Sequence, residues 1–123
     1  MKKLIISTAL GLLLGTMLYF TCTLSYSLEP ISKDLAIVTI KNESGQFVKK
    51  VLLQQGHGTM EVNGIPNKDE IRFMFTNLGE NSFQITATLA NDSTFTSKET
   101  YIEYGYRGTE TITKSGIDTQ SNW

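Results

Sequence analysis

Beyond Leu28 the chain alternates apolar and polar residues with period two, and turn-forming residues interrupt it about every ten positions, the pattern of short half-buried strands. Leu35–Ile40 is the first clear strand. Leu35, Ile37 and Thr39 face one way and Ala36, Val38 and Ile40 the other, and apolar side chains on both faces predict a central position. Asn42-Glu43-Ser44-Gly45 turns the chain into a second strand, from Phe47 to about Gln54, with Phe47, Val51 and Leu53 sharing a face. Gln55-Gly56-His57-Gly58 leads into Thr59–Val62, and Asn63-Gly64 with Pro66-Asn67-Lys68-Asp69 makes the next loop.

Ile71, Phe73 and Phe75, set against Arg72 and Thr76, predict a fourth strand that faces the core. Ser82–Leu89 is the fifth, with Phe83, Ile85, Ala87 and Leu89 inward. A short sixth strand is expected around Phe95, and Tyr101–Tyr106 with Thr109–Thr113 is expected to form a last hairpin through Arg107-Gly108. The tail, Asp118–Trp123, is polar and expected to fray apart from its Trp. Beyond the N-terminal segment nothing repeats apolar residues at helical spacing over three turns, so no long helix is expected there. The fold class is therefore all-β: a small antiparallel β-sandwich of seven or eight strands, with a barrel as the alternative closure, and a core over about residues 34–115.

The N-terminal segment has a different character. Lys2 and Lys3 precede an apolar run from Leu4 to Phe20, followed by a more polar stretch with small residues, which is the build of an export signal. Ser25-Tyr26-Ser27 offers small side chains for cleavage after Ser27, and Thr23 is a second option. About 20 residues of low polarity also suffice for an uncleaved helical anchor. Cys22 admits a third reading, a lipidated N-terminus, although Tyr19-Phe20-Thr21 is bulky for the corresponding peptidase. Each reading carries residues 28–123 out of the cytoplasm, because the positive start stays inside. The division is thus 1–27 as signal or anchor and 28–123 as one domain.

Composition narrows the function classes. Cys22 is the only cysteine, so a chain cut after Ser27 has no disulfide, no cysteine metal site and no thiol nucleophile. An extracellular eukaryotic domain of this size more often carries a disulfide, and a bacterial periplasm or cell surface fits better. The sequons Asn42-Glu43-Ser44 and Asn91-Asp92-Ser93 would permit glycosylation in a eukaryote. Without Lys2 and Lys3 the chain has 12 acidic and nine basic residues, and no like-charge run longer than Lys49-Lys50. That balance argues against nucleic acid, whose binding needs clustered Lys and Arg.

The segment Glu80-Asn81-Ser82-Phe83-Gln84-Ile85 is similar to the corner before a sandwich strand that carries a tyrosine and, two residues later, a core residue. Phe83 and Ile85 occupy those places here. With the strand spacing over about 34–115, the chain resembles the immunoglobulin-like and fibronectin-III-like domains of secreted bacterial proteins. The resemblance implies two packed sheets and assigns no task, because that fold serves many.

Chemistry-bearing residues are few. His57, the only histidine, sits between glycines in a turn, and no nucleophile elbow surrounds Ser44, Ser82 or Ser93. Asp69 with Glu70, and Glu99 with Glu103, are the nearest carboxylate pairs, but neighbouring strand residues diverge and charged positions on a strand normally face solvent. Asn63, Asn67, Asp69 and Glu70 fall in one loop without the aspartate spacing of a calcium site. No catalytic residue, metal or cofactor is therefore assigned.

The aromatic set Phe95, Tyr101, Tyr104 and Tyr106 is what remains as a recognition surface. Tyr104 and Tyr106 are expected to share a face, Tyr101 to lie opposite, and Arg107 to add a carboxylate-pairing charge. The expected function is non-catalytic: a small envelope module binding another envelope or extracellular protein. An inhibitor or immunity protein against a toxin or hydrolase, and a carbohydrate-binding or adhesin-like module, are the alternatives.

Overall fold

The structure, a computed structural model, describes residues 32–122. The signal or anchor reading of 1–27, the Cys22 reading and Trp123 lie outside the described residues. Nine strands form where alternation and β-branched content coincide: β1 (Leu35–Asn42), β2 (Val48–Gln55), β3 (Gly58–Ile65), β4 (Glu70–Thr76), β5 (Asn81–Leu89), β6 (Thr94–Thr96), β7 (Thr100–Ile102), β8 (Arg107–Ile112) and β9 (Ile117–Asn122). Among the described residues there is no helix in this order, and none long and apolar enough to cross a membrane.

The strands form two sheets, one ordered β4-β1-β8-β9 and the other β3-β2-β5-β6 with β7 also paired to β5. The expectation of a wholly antiparallel arrangement is corrected at one place. β1 and β8 pair in parallel, from Ile37 opposite Arg107 to Asn42 opposite Ile112. Parallel neighbours need a long crossover. The whole second sheet supplies it, and no local pattern in either strand announces such a partner.

Side chains from both sheets meet in one hydrophobic cluster. Ala36, Val38 and Ile40 of β1, Phe73 and Phe75 of β4, and Ile112 of β8 come from the first sheet. Val51 and Leu53 of β2, Phe83, Ile85, Ala87 and Leu89 of β5, and Ile102 of β7 come from the second. This is a β-sandwich interior, and burying each such side chain contributes about 1.5–3 kcal/mol. Ile37, expected to make β1 apolar on both faces, is half-buried opposite the exposed Met74.

Three local expectations fail for identifiable reasons. Phe47 does not share the face of Val51 and Leu53 as expected: it is exposed, and Val48 takes the core position. The β2–β5 register shifts between Val48 and Lys50, so one inserted residue reverses the side-chain parity upstream of it. Tyr101–Tyr106 is not a strand, since β7 stops at Ile102 and the chain turns at Gly105, whose φ of +71° suits a residue without Cβ. Arg107-Gly108 therefore opens β8 instead of forming a hairpin turn. The tail is not frayed: Ile117–Asn122 is β9, paired antiparallel with β8, from Arg107 opposite Asn122 to Ile112 opposite Ile117.

At the end where β1 leaves the first sheet, Asn42 is buried and fully engaged. Its Nδ2 donates to Gln46 O at 2.8 Å and Ile65 O at 2.9 Å, while Oδ1 accepts from Ser44 N at 3.1 Å and Ser44 Oγ at 2.7 Å. The folded domain thus leaves no room for a glycan on Asn42, whereas Asn91 is exposed.

Candidate functional site

At the opposite end, where β1 begins and β4 finishes, the loops after β4 and β7 are tied together through Asn77. Its backbone N–H donates to Asp34 O at 2.6 Å, and its buried Nδ2 donates to Gly79 O at 2.9 Å and Glu103 O at 3.0 Å. A short polar residue that saturates three carbonyls fixes both loops, so their tips hold a defined arrangement. On those tips Tyr104 Oη donates to Leu78 O at 2.8 Å. Leu78 is 72% exposed and Tyr104 59% exposed.

Tyr101 stands nearby, 48% exposed, with its hydroxyl donating to Glu103 Oε1 at 3.4 Å. Desolvation, followed by hydrogen bonding and charge from Glu80 and then the charge of Glu103, holds that hydroxyl above the usual tyrosine range. The tip is therefore an apolar and aromatic patch, Leu78 with Tyr104 and Tyr101, edged by the carboxylates of Glu80 and Glu103. Large apolar side chains held out into water together are the informative exception on a soluble surface.

The other two expected recognition residues are elsewhere. Tyr106 is only 2% exposed: the turn at Gly105 points its ring inward, against Phe83 at a centroid distance of 5.7 Å and an interplanar angle of 62°. It does not share a face with Tyr104. Its hydroxyl is pushed up to about 12, first by burial and then by the charge of Glu110. Arg107 spends its guanidinium on backbone carbonyls, with Nη1 donating to Leu35 O, to Tyr106 O at 2.9 Å and to Gly105 O at 3.2 Å. That arrangement clips the start of β1 to the start of β8. Phe95 packs partly buried against the core.

The polar candidates are dispersed. His57 is exposed at the two-residue tip of the β2–β3 hairpin, its N–H donating to Gln55 Oε1 at 3.2 Å. Glu70 pairs with Arg72 at 3.2 Å, and Glu99 accepts from Ser82 Oγ. Asn67 caps Gly45 N at 2.9 Å and Asn63 donates to Glu61 at 3.0 Å, so the loop reserves these side chains for its own backbone and neighbours. Among the described residues no group of three His, Cys, Asp or Glu could hold a metal ion.

Two features were missed by reading the sequence. Leu78 belongs to none of the candidate sets, although an apolar residue between the turn formers Asn77 and Gly79 is the available signal. Glu110 is fully buried on the inner face of β8, with Oε2 accepting from Thr119 Oγ1 at 2.8 Å and Oε1 without a hydrogen bond among the described residues. Burial raises its carboxyl to about 7, with the Thr119 hydrogen bond opposing the shift.

No protein-family model matches the chain, and no curated protein matches it. Among solved structures it is similar to the NMR structure of a protein from Eubacterium rectale, with a TM-score of 0.57 and 17% identity, over 72% of this chain and 89% of that one. At that identity the likeness concerns the fold: nine strands in two sheets form an all-β sandwich shared with a bacterial protein.

Proposed function

We propose that this chain is an exported, non-catalytic binding module of a bacterial envelope, which docks a protein partner through the Leu78–Tyr104–Tyr101 tip. The observation that carries the reading is the exposure of Leu78 and Tyr104 on loops held rigid by Asn77. A pre-organised tip loses little conformational entropy on docking, and aromatic anchors supply most of the energy in protein interfaces. Glu80 and Glu103 at its margin favour a partner whose contact surface is apolar at the centre and basic around it. Delivery beyond the cytoplasm rests on the leader of Lys2, Lys3 and the apolar run that follows. The finer fold reading, immunoglobulin-like or fibronectin-III-like, is supported by Phe83 and Ile85 pointing into the core as that resemblance requires.

The test is affinity capture from envelope extracts with the wild-type chain and with Leu78→Ser/Tyr104→Ser. A specific protein recovered by the wild type and lost by the variant, with thermal unfolding unchanged, supports the reading. Equal recovery by both removes the tip from the mechanism.

A further inference from the structure

On the outer face of the second sheet, a shallow depression of about 390 Å³ is bordered by Gln54, Gln55, Gly56, Ser82, Gln84 and Glu99. The register builds it. Gln54 lies directly opposite Gln84 across β2 and β5, and Ser82 lies opposite Tyr101 across β5 and β7. Ser82 Oγ donates to Glu99 Oε1, which draws the segment before β7 against the rim. Tyr101, directly opposite Ser82, shares its face, which leaves Ser82 between the Glu99 carboxylate and a half-exposed aromatic ring.

The hydrogen-bonding capacity left over is specific in kind. Among the described residues the Gln54 amide makes no hydrogen bond, Gln84 uses only Nε2, toward Ser97 O at 3.0 Å, and Gln55 uses only Oε1. Glu99 keeps Oε2 uncommitted. Planar amides and a carboxylate present the donors and acceptors that hydroxyl groups pair with. No Lys or Arg borders the depression, so it has nothing to neutralise an anionic ligand. Phe83 meets the depression only from beneath, since its ring is buried in the core, and the exposed aromatic ring beside it is Tyr101, which pairs with Ser82.

We infer that this depression binds a neutral saccharide: ring hydroxyls engage Gln54, Gln84 and Glu99, and a C–H face of the sugar lies on Tyr101. The volume suits one or two sugar units, at the lower end of small-ligand sites, which run from about 300 to 1,000 Å³. Tyr101 borders both this depression and the docking tip, whereas Leu78 and Tyr104 belong to the tip alone, so substitutions there separate the two readings.

The full-length chain, as cells process it, is titrated with maltotriose, xylotriose and tri-N-acetylchitotriose, and with trigalacturonate as the anionic comparison, while amide chemical shifts are followed. Saturable shifts centred on Gln54, Ser82, Gln84 and Glu99 with at least one neutral sugar, and none with trigalacturonate, are expected. Gln54→Ala/Gln84→Ala is expected to weaken binding at least about tenfold, since two hydrogen bonds are lost. Leu78→Ser/Tyr104→Ser is expected to leave it unchanged, which separates this site from the protein-docking reading. Absence of saturable shifts with all three neutral sugars, shifts centred elsewhere, or equal binding by Gln54→Ala/Gln84→Ala would overturn the inference.

Discussion

Glu110 and Thr119 face each other across the β8–β9 pair, and among the described residues the Thr119 hydroxyl is the one hydrogen-bond donor to a carboxyl group that is 0% exposed. One carboxyl oxygen is satisfied and the other, Oε1, is buried without a hydrogen bond among the described residues. Taking such a group out of water disfavours its charged form, which is why the carboxyl is raised from 4.5 to about 7.

The consequence is a stability that falls as pH rises. Between about 4.5 and 7 the unfolded chain has released the Glu110 proton while the folded chain still holds it, so the folded state binds more protons and unfolding becomes easier with increasing pH. The stabilisation is fully present below 4.5, is lost through that window and is flat above it. A shift of this size corresponds to about 3 kcal/mol. Glu110→Gln keeps the acceptor for Thr119 without the charge. In chemical denaturation at several pH values, the variant is expected to gain about 3 kcal/mol on the wild type between pH 4.5 and 7.5.

Tyr106 and Gly108 are coupled just as directly. A Cβ on Gly108 would lie 2.5 Å from Tyr106 Cζ and closer still to its Oη, and the ring is already held edge-on against Phe83. Gly108→Ala is expected to destabilise the domain by about 1–3 kcal/mol through overpacking. In a Tyr106→Ala background the same substitution should cost much less. A double-mutant cycle from denaturant unfolding, with a coupling well above about 0.5 kcal/mol, checks the contact.

Asn42 is a structural residue. Asn42→Ala removes the side-chain partner of the Ile65 carbonyl and the Ser44 N–H, and leaves the Gln46 carbonyl and the Ser44 hydroxyl with their mutual hydrogen bond at 3.2 Å. A loss of about 2–4 kcal/mol is expected, larger than for a single exposed hydrogen bond, because buried groups left unsatisfied retain their desolvation cost. Thermal unfolding of the variant against Asn91→Ala, which should be near neutral, measures it.

How far the molecule could be read from its sequence follows from how local each feature is. The alternation in Ile71-Arg72-Phe73-Met74-Phe75 and in Phe83–Leu89 depends on period two alone, and both strands formed as expected. Phe47 misled because a bulge inserts one residue and carries no strong side-chain signal of its own. The polar stretch Asp118–Asn122 became a strand because its ladder partner, β8, supplies what its side chains do not. Glu110 was legible in principle, as it lies two residues before the buried Ile112 and parity alone puts both inward.

The recognition residues divide in the same way. Tyr101 and Tyr104 are exposed, whereas Tyr106 was turned inward by a chain reversal at Gly105 that period-two reading treats as continuous strand. Leu78 and Tyr104 are 26 positions apart and meet only because Asn77 ties their loops, so no window along the chain contains the patch. The Gln54–Gln84 depression is assembled from strand register and was invisible for the same reason.

The docking role of the tip is tested most directly in intact cells by placing a photo-crosslinking phenylalanine analogue at Tyr104 and, as the comparison, at Arg72, which is exposed on β4. Irradiation is predicted to give one discrete protein adduct from position 104 that is absent from position 72 and lost when Leu78 is also changed to serine. No adduct from position 104, or the same adduct from both positions, would contradict the account.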